Sequence, residues 1–289
     1  MILKEVLEKT TKFFKEKNIE SARLDSEMLI SKALGLTRVE LYMKYEQPLK
    51  QSEVELCREY VRRRILGEPV AYILGHRDFY RLNFKVDSRV LIPRPETETL
   101  VEFVLNRMRD SKRDNFEVLD LGCGSGCIGL SIAKHESRAH VKMLDFSFDA
   151  IEVAKINQSQ LELTEATEVI MAAAMEFEPG TQKFDFIVSN PPYISKDDPN
   201  VQAEVKKFEP SSALFSGRDG FEDIFLWSQK YASYLNSGGC MIFEVGYTQG
   251  EKTKAHFESL NVFESVTIIQ DFSGLDRFVV GVARGVHNG

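Results

Sequence analysis

The sequence predicts an α/β protein. Its main body is a mostly parallel β-sheet covered on both faces, preceded by a small all-helical domain and a β-hairpin linker. Three observations carry this. After Arg109, short apolar runs alternate with helical patterns, as in strand–helix–strand units. The first 75 residues show helical periodicity and no such runs, and from Phe79 the texture becomes an imperfect alternation. The expected domains are therefore 1–75 (helical), 76–92 (hairpin linker) and 93–289 (sheet).

Each element has its own signal. Leu3, Val6, Leu7, Phe13 and Phe14 recur at helical spacing among lysines and glutamates. Ser21 is placed to cap a second helix, with Leu24, Met28, Leu29 and Ala33 as its inner stripe and Gly35 after its end. Residues 36–45 suggest a shorter helix. Ser52 opens another, in which Val54, Cys57, Val61 and Ile65 line one side until Gly67 and Pro69 stop it. FYRLNFKV followed by VLI predicts a hairpin over 79–92. Pro95 stands at the first turn of a helix over 96–108, with acids early and basic residues late.

FEVLDLG, HVKMLD, residues 169–174, FDFIVSN and GGCMIFEVG then read as five strands separated by helices. SVTIIQDF and DRFVVGVAR close the chain as an antiparallel edge.

Composition narrows the function. At 289 residues, with 43% hydrophobic and 28% charged, the chain can bury a sizeable core. No apolar run approaches the length of a transmembrane helix. The amino terminus has neither an unbroken apolar core nor a cleavage site, so no signal peptide, no membrane association and a cytoplasmic location are expected. Cys57, Cys123, Cys127 and Cys240 lack ligand spacing, which predicts reduced thiols and no metal site. Residues 1–92 hold 18 Lys+Arg against 14 Asp+Glu, a net of +4; the whole chain is −7, leaving −11 for 93–289. A nonspecific duplex binder would carry a basic face on its catalytic part, so direct nucleic-acid binding is not expected.

Asp120-Leu121-Gly122-Cys123-Gly124-Ser125-Gly126 lies between a strand and a helix. Glycines there permit tight turning and close backbone approach to a ligand. The spacing is G-x-G-x-G and not the dinucleotide G-x-G-x-x-G, although the loop alone leaves a dehydrogenase open. The next strand ends in Asp145, where an acid can accept from ribose hydroxyls and would repel a ribose phosphate. Together they predict a nucleoside-containing cofactor. Asp120 at the loop entrance suits a cationic sulfonium, so S-adenosylmethionine fits. Across the sheet edge, FDFIVSN runs into Asn190-Pro191-Pro192-Tyr193. Prolines lack an N–H, so this exit offers acceptors and hardly donates. The Asn190 side-chain carbonyl and the Pro191 carbonyl can hold two N–H groups of one planar nitrogen while Tyr193 stacks on its plane. The pattern predicts methylation of an amide or an exocyclic amine. His76, His135, His140, His256 and His287 show neither triad nor metal spacing. Arg62, Arg63 and Arg64 read as a solvated face, and Glu96 and Glu98 as either helix-amide acceptors or cleft residues.

DLGCGSGCIGLSIA, MLDFSFDA, IVSNPPYIS, FEPSSALFSGRDG, GEPVAYILG and LIPRPETE together resemble the peptide chain release factor protein-(glutamine-N5) methyltransferase family (PrmC/HemK-like), over nearly the whole chain. The resemblance implies a Rossmann-like S-adenosylmethionine-dependent methyltransferase acting on the glutamine of a Gly-Gly-Gln motif, with the helical domain gripping the release factor, and a monomer. It implies that Gly122, Gly124 and Gly126, with Cys123 and Ser125, cradle the cofactor's methionyl part. Asp145 would take the ribose, and Asn190, Pro191, Pro192 and Tyr193 the substrate amide. MAAAMEF departs from the family pattern: Met175 stands in the place of an adenine-framing aromatic, and Ala173 or Ala174 in that of an acid. Ser211 replaces a frequent basic residue. NPPY is shared with adenine methyltransferases of DNA and RNA, and a ribosomal protein is a further candidate substrate.

Overall fold

The computed structural model describes residues 1–199, 203–271 and 273–285. Two compact units result, Met1–His76 with Gln202–Phe208, and Arg77–Val201 with Glu209–Gly289.

The first unit begins with α1 (Leu3–Glu16), α2 (Ala22–Leu34), α3 (Arg38–Met43), α4 (Gln51–Ile65) and α5 (Val70–Leu74). Leu3, Val6, Leu7, Ile30, Leu41 and Cys57 share one cluster, and Phe14, Ala22, Leu29, Ile73 and Leu74 another. Two sequence readings of α2 need correction. Ser21 does not cap it, because its hydroxyl donates to Asp25 Oδ1 at 2.7 Å instead. Leu24 is exposed, and the inner face is polar as well as apolar: Asp25, Ser26 and Glu27 are buried beside Leu29 and Ile30. Buried Glu27 accepts from Arg23 at 3.0 Å and Arg38 at 2.5 Å, so polarity there is satisfied. Of the arginine triplet, Arg62 lies on a solvated face as expected, while Arg64 does not. Arg62 pairs with Glu59, Arg63 with Glu68, and Arg64 with buried Asp25 at 2.8 Å.

β1 (His76–Phe79) and β2 (Leu82–Lys85) form a hairpin with Tyr80 and Arg81 at its turn, both with positive φ. Phe79 and Phe84 pack into the second unit's core. The Val90–Ile92 stretch expected as its second strand is irregular backbone, because the chain turns back earlier. A 3-10 turn (Pro95–Thr97) leads into α6 (Glu98–Arg109). Glu98 is structural: its carboxylate accepts the Tyr80 N–H at 3.0 Å.

The sheet follows: β3 (Phe116–Leu121), α7 (Cys127–His135), β4 (Ala139–Asp145), α8 (Phe148–Gln160), β5 (Thr167–Met171) and β6 (Phe184–Ser189). Next come α9 (Ala203–Phe208), α10 (Ser211–Leu214), α11 (Glu222–Tyr231), β7 (Leu235–Glu244), α12 (Gly250–Ser259), β8 (Phe263–Gln270) and β9 (Asp276–Ala283). The order is β5-β4-β3-β6-β7-β9-β8, parallel from β5 to β7 and antiparallel at β9 and β8. Neighbouring residues of one strand serve opposite faces. Val118, Ile242 and Val280 join the core under α6 and α7, while Leu119, Met241 and Val279 join that under α11 and α12. Strand order reverses between β3 and β6, so a crevice opens at their carboxyl ends.

Short α9 belongs to the first unit. Lys207 Nζ donates to the Leu66 carbonyl at 3.0 Å, and a Cβ on Gly67 would lie 3.2 Å from Glu204 and 3.4 Å from Phe208. Neither α9 nor α10 was predicted, since four to six residues carry too little periodicity to register.

Candidate active site

A cavity of about 410 Å³ lies at that crevice. Its walls come from the carboxyl ends of β3, β4 and β6, from LIPRPETE and from the loop after α9. Among its lining residues are Arg94, Thr97, Gly122, Cys123, Gly124, Ser125, Asp145, Phe146, Ala173, Ala174, Met175, Asn190, Pro192 and Trp227.

The glycine loop is bent by backbone that L side chains resist. Gly122 and Gly124 have φ of +69° and +55°. A Cβ on Gly122 would lie 3.1 Å from the Trp227 ring, whereas one on Gly124 would meet nothing within 4 Å. Gly124 therefore leaves its side open and turns its N–H to Asp145, whose Oδ2 accepts at 2.9 Å. Asp145 Oδ1 accepts the Ser147 N–H at 2.9 Å, and Ser147, not Asp145, caps α8 through its own hydroxyl. Each carboxylate oxygen keeps a lone pair for a ligand. Burial raises the Asp145 pKa against these amide donors.

Asn157 braces the loop from behind. It accepts from Lys85 N at 2.7 Å and donates to the Ser125 carbonyl at 2.9 Å, tying the hairpin to the loop.

Two predicted residues of the loop lie elsewhere. Asp120 is fully buried beneath it, with Oδ2 receiving the Gly129 N–H at 3.0 Å and Oδ1 without a hydrogen-bond partner among the described residues, and it does not line the cavity. Gly126 also stands off the cavity wall, at the start of α7. Burial, with a smaller push from Asp145, raises the Asp120 pKa to about 7. The sign follows. The folded value exceeds the ordinary 3.8, so stability attributable to this group declines as pH rises from about 4 to about 7. Asp120→Asn is expected to raise Tm at pH 8 by roughly 3–8 °C and to leave it nearly unchanged at pH 4. The same shift at both pH values, in scanning calorimetry, would refute this.

NPPY leaves the end of β6. Ser189 Oγ donates to the Leu121 carbonyl at 2.7 Å and so fastens this exit to the glycine loop. Asn190 and Pro192 line the cavity; Pro191 is buried and Tyr193 half-buried, and neither lines it. The Tyr193 hydroxyl donates to Glu244 Oε1 at 3.2 Å. Gln249 Nε2 donates to the Tyr193 carbonyl at 2.9 Å and to the Gly220 carbonyl at 3.2 Å. LIPRPETE is held by FEPSS: buried Glu209 accepts from Arg94 at 2.7 Å and from Ile92 N at 3.2 Å. Phe146, Thr97, Glu209, Glu244 and Gln249 were not singled out from the sequence. Phe146, directly after the acid of MLDF, was the most legible of them: it is an exposed aromatic lining the same cavity as Met175.

Burial holds the Cys123 and Cys127 thiols protonated, pushing Cys127 up to about 12. Among the described residues, no group of three or more His, Cys, Asp or Glu side chains is arranged to hold a metal ion. His135 Nδ1 meets the Ser131 carbonyl and His256 stacks on Phe225, both away from the cavity, while His287 lies outside the described residues.

Residues 5–75 match the PrmC N-terminal domain family and residues 97–214 the methyltransferase small domain family. A release factor glutamine methyltransferase of Geobacter sulfurreducens is 40% identical over 281 residues, covering 96% of each chain. One from Rhodopirellula baltica is 37% identical over 277 residues, covering 95% of this chain and 94% of the other. The fold alone is shared with the crystal structure of a SAM-dependent methyltransferase from Agrobacterium tumefaciens, at 16% identity and a TM-score of 0.51, covering 72% of this chain and 69% of that one. With similarity at this level running end to end, the chain belongs to the release factor glutamine methyltransferase family.

Proposed function

We propose that this enzyme transfers the methyl group of S-adenosylmethionine to the side-chain N5 of the glutamine in the Gly-Gly-Gln motif of peptide chain release factors. The observation that carries the reading is one cavity, lined by the glycine loop and Asp145 at one end and by Asn190 at the other, in a chain of this family. The cavity fits the cofactor. Its Gly124 side is open, and a carboxylate with free lone pairs faces it beside an exposed aromatic.

When bound, the cofactor supplies an electrophilic methyl carbon on a sulfonium. The chain's residues do the rest by binding and orientation. Gly122, Cys123, Gly124 and Ser125 cradle the methionyl part, Asp145 takes the ribose hydroxyls, and Phe146 and Met175 frame the adenine. An amide nitrogen is a poor nucleophile because its lone pair is delocalised. Asn190 Oδ1, on the cavity wall, accepts one of its N–H groups, which aligns the nitrogen and gains strength as positive charge develops there. Pro192 shapes the slot, and Tyr193 braces NPPY from behind through Glu244.

The helical unit is the docking part. Residues 1–92 carry a net +4, suited to an acidic surface of a folded release factor. The reading includes a cytoplasmic monomer with no direct contact to nucleic acid. Among the described residues, no helix is long and apolar enough to cross a membrane.

Intact release factor is expected to be methylated far more efficiently than a short Gly-Gly-Gln peptide, because remote contacts help orient the reacting amide. Mass spectrometry of release factor, peptide, a ribosomal protein and adenine-containing DNA after incubation with one preparation decides it. Turnover of DNA with none of release factor would assign the substrate to nucleic acid.

A further inference from the structure

We propose that Glu244 is a positioning residue that sets the direction of the Asn190 amide through the hydroxyl of Thr97. The inference rests on the reading above, in which Asn190 offers its carbonyl to the substrate.

Glu244 ends β7 and is 1% exposed, as is Thr97 in the 3-10 turn of LIPRPETE. Thr97 Oγ1 donates to Glu244 Oε2 at 2.6 Å, Tyr193 donates to Oε1 at 3.2 Å, and Asn190 Nδ2 donates to Thr97 Oγ1 at 3.4 Å. The 3-10 turn is far in sequence from the other two segments, the exit of β6 and the end of β7, which the pairing of those strands brings side by side.

The polarity of the chain is forced from its buried end. An ionised carboxylate only accepts, so the single proton of the Thr97 hydroxyl is committed to Glu244. The Thr97 oxygen can then only accept, and the one group Asn190 can offer it is the NH2. Oxygen and nitrogen of an amide lie on opposite sides of its carbon, so Oδ1 is left on the other side, available to a substrate N–H. Without this constraint the two ends of the amide are nearly equal in shape, and half of the orientations would present a donor to a donor. The same carboxylate fixes the Tyr193 hydroxyl, so one buried charge orders both polar ends of NPPY.

Protonation offers a readout. Burial pushes the Glu244 pKa up to about 7, opposed by Thr97, Arg277 and Tyr193 and reinforced by Glu96. A protonated carboxyl can donate to Thr97, which frees the hydroxyl proton to point at Asn190 and reverses the preference. The kcat is therefore expected to fall as pH drops through about 7, and to be steady above it.

The test compares Thr97→Val, Thr97→Ser and Glu244→Gln with the unaltered protein, using intact release factor, S-adenosylmethionine affinity by calorimetry, and pH 6–9 profiles. Thr97→Val should lower kcat by about 10- to 100-fold with KM and cofactor affinity within about threefold, and Thr97→Ser should stay within about threefold of the original. Glu244→Gln should lower kcat several-fold at pH 8 and lack the acid limb. Independently of turnover, the Asn190 side-chain NH2 should show slowed hydrogen exchange in the unaltered protein and lose that protection in Thr97→Val. Retained kcat in Thr97→Val, or an acid limb that persists in Glu244→Gln, overturns the proposal. If Thr97→Val does not fold, Glu244→Gln and the unaltered protein's Asn190 exchange decide alone, and an unprotected NH2 overturns it. Failure of the substrate reading would look different: no methylation of release factor by the unaltered protein, with Asn190 NH2 protection intact.

Discussion

Replacing Asn190 with alanine is expected to reduce turnover on release factor by about 10²–10³-fold, about 3–4 kcal/mol of transition-state stabilisation, with cofactor affinity within about twofold. The size follows from what the side chain touches. Asn190 lies on the cavity wall at the end of β6, and its position is fixed by neighbours that survive the substitution: Ser189 bound to the Leu121 carbonyl, and Gln249 bound to the Tyr193 carbonyl. Truncation thus removes an acceptor without moving the loop. An acceptor aimed at an N–H that grows more acidic as the N–C bond forms contributes more to the transition state than to the bound substrate, so kcat should bear the loss. Steady-state kinetics on intact release factor separate the two. A rise in KM at unchanged kcat would make Asn190 a docking residue only.

Asp145→Ala should weaken S-adenosylmethionine binding by about 2–3 kcal/mol, roughly 30- to 150-fold. Two losses combine. The ribose loses a charge-assisted acceptor, and the Gly124 and Ser147 amides lose the carboxylate that now holds them at 2.9 Å each. The second loss loosens the bend of the glycine loop itself. Asp145→Asn separates them, since its one remaining acceptor oxygen can serve Gly124 or Ser147 but not both, and should fall between alanine and the original. Calorimetric titration reads both variants. Unaltered affinity in Asp145→Ala would reduce the residue to a loop brace.

The sheet was legible because its strands are buried on both faces and separated by amphipathic helices, so FEVLDL, HVKMLD and FDFIVS stand out as apolar runs. The chemistry at their ends was legible for the same reason: the glycines, Asp145 and NPPY each follow directly on such a run. What escaped was support from a distance. Glu244 ends an apolar strand and reads as an ordinary solvent-facing terminus, although it is buried and bound to Thr97, 147 residues away. Asp120 misled in the opposite sense. Its position before the glycines suggested a ligand-facing acid, yet the pleat of β3 turns it under the loop, toward the Gly129 amide. In the helical unit, the buried charges of α2 ran against the expectation that inner stripes are apolar, because Arg38 at the start of the next helix and Arg64, 39 residues beyond Asp25, neutralise Glu27 and Asp25.

The return of α9 to the first unit bears on how the protein is made. Synthesis releases residues 1–76 first, but the segment at 202–208 that completes this unit follows only after roughly 125 further residues, about 6–25 s later at ordinary elongation rates. During that interval the surface around Leu66 and Gly67 lacks its partners Lys207 and Phe208. The amino-terminal unit therefore emerges first yet finishes late, and a nascent chain halted before residue 202 carries it incomplete.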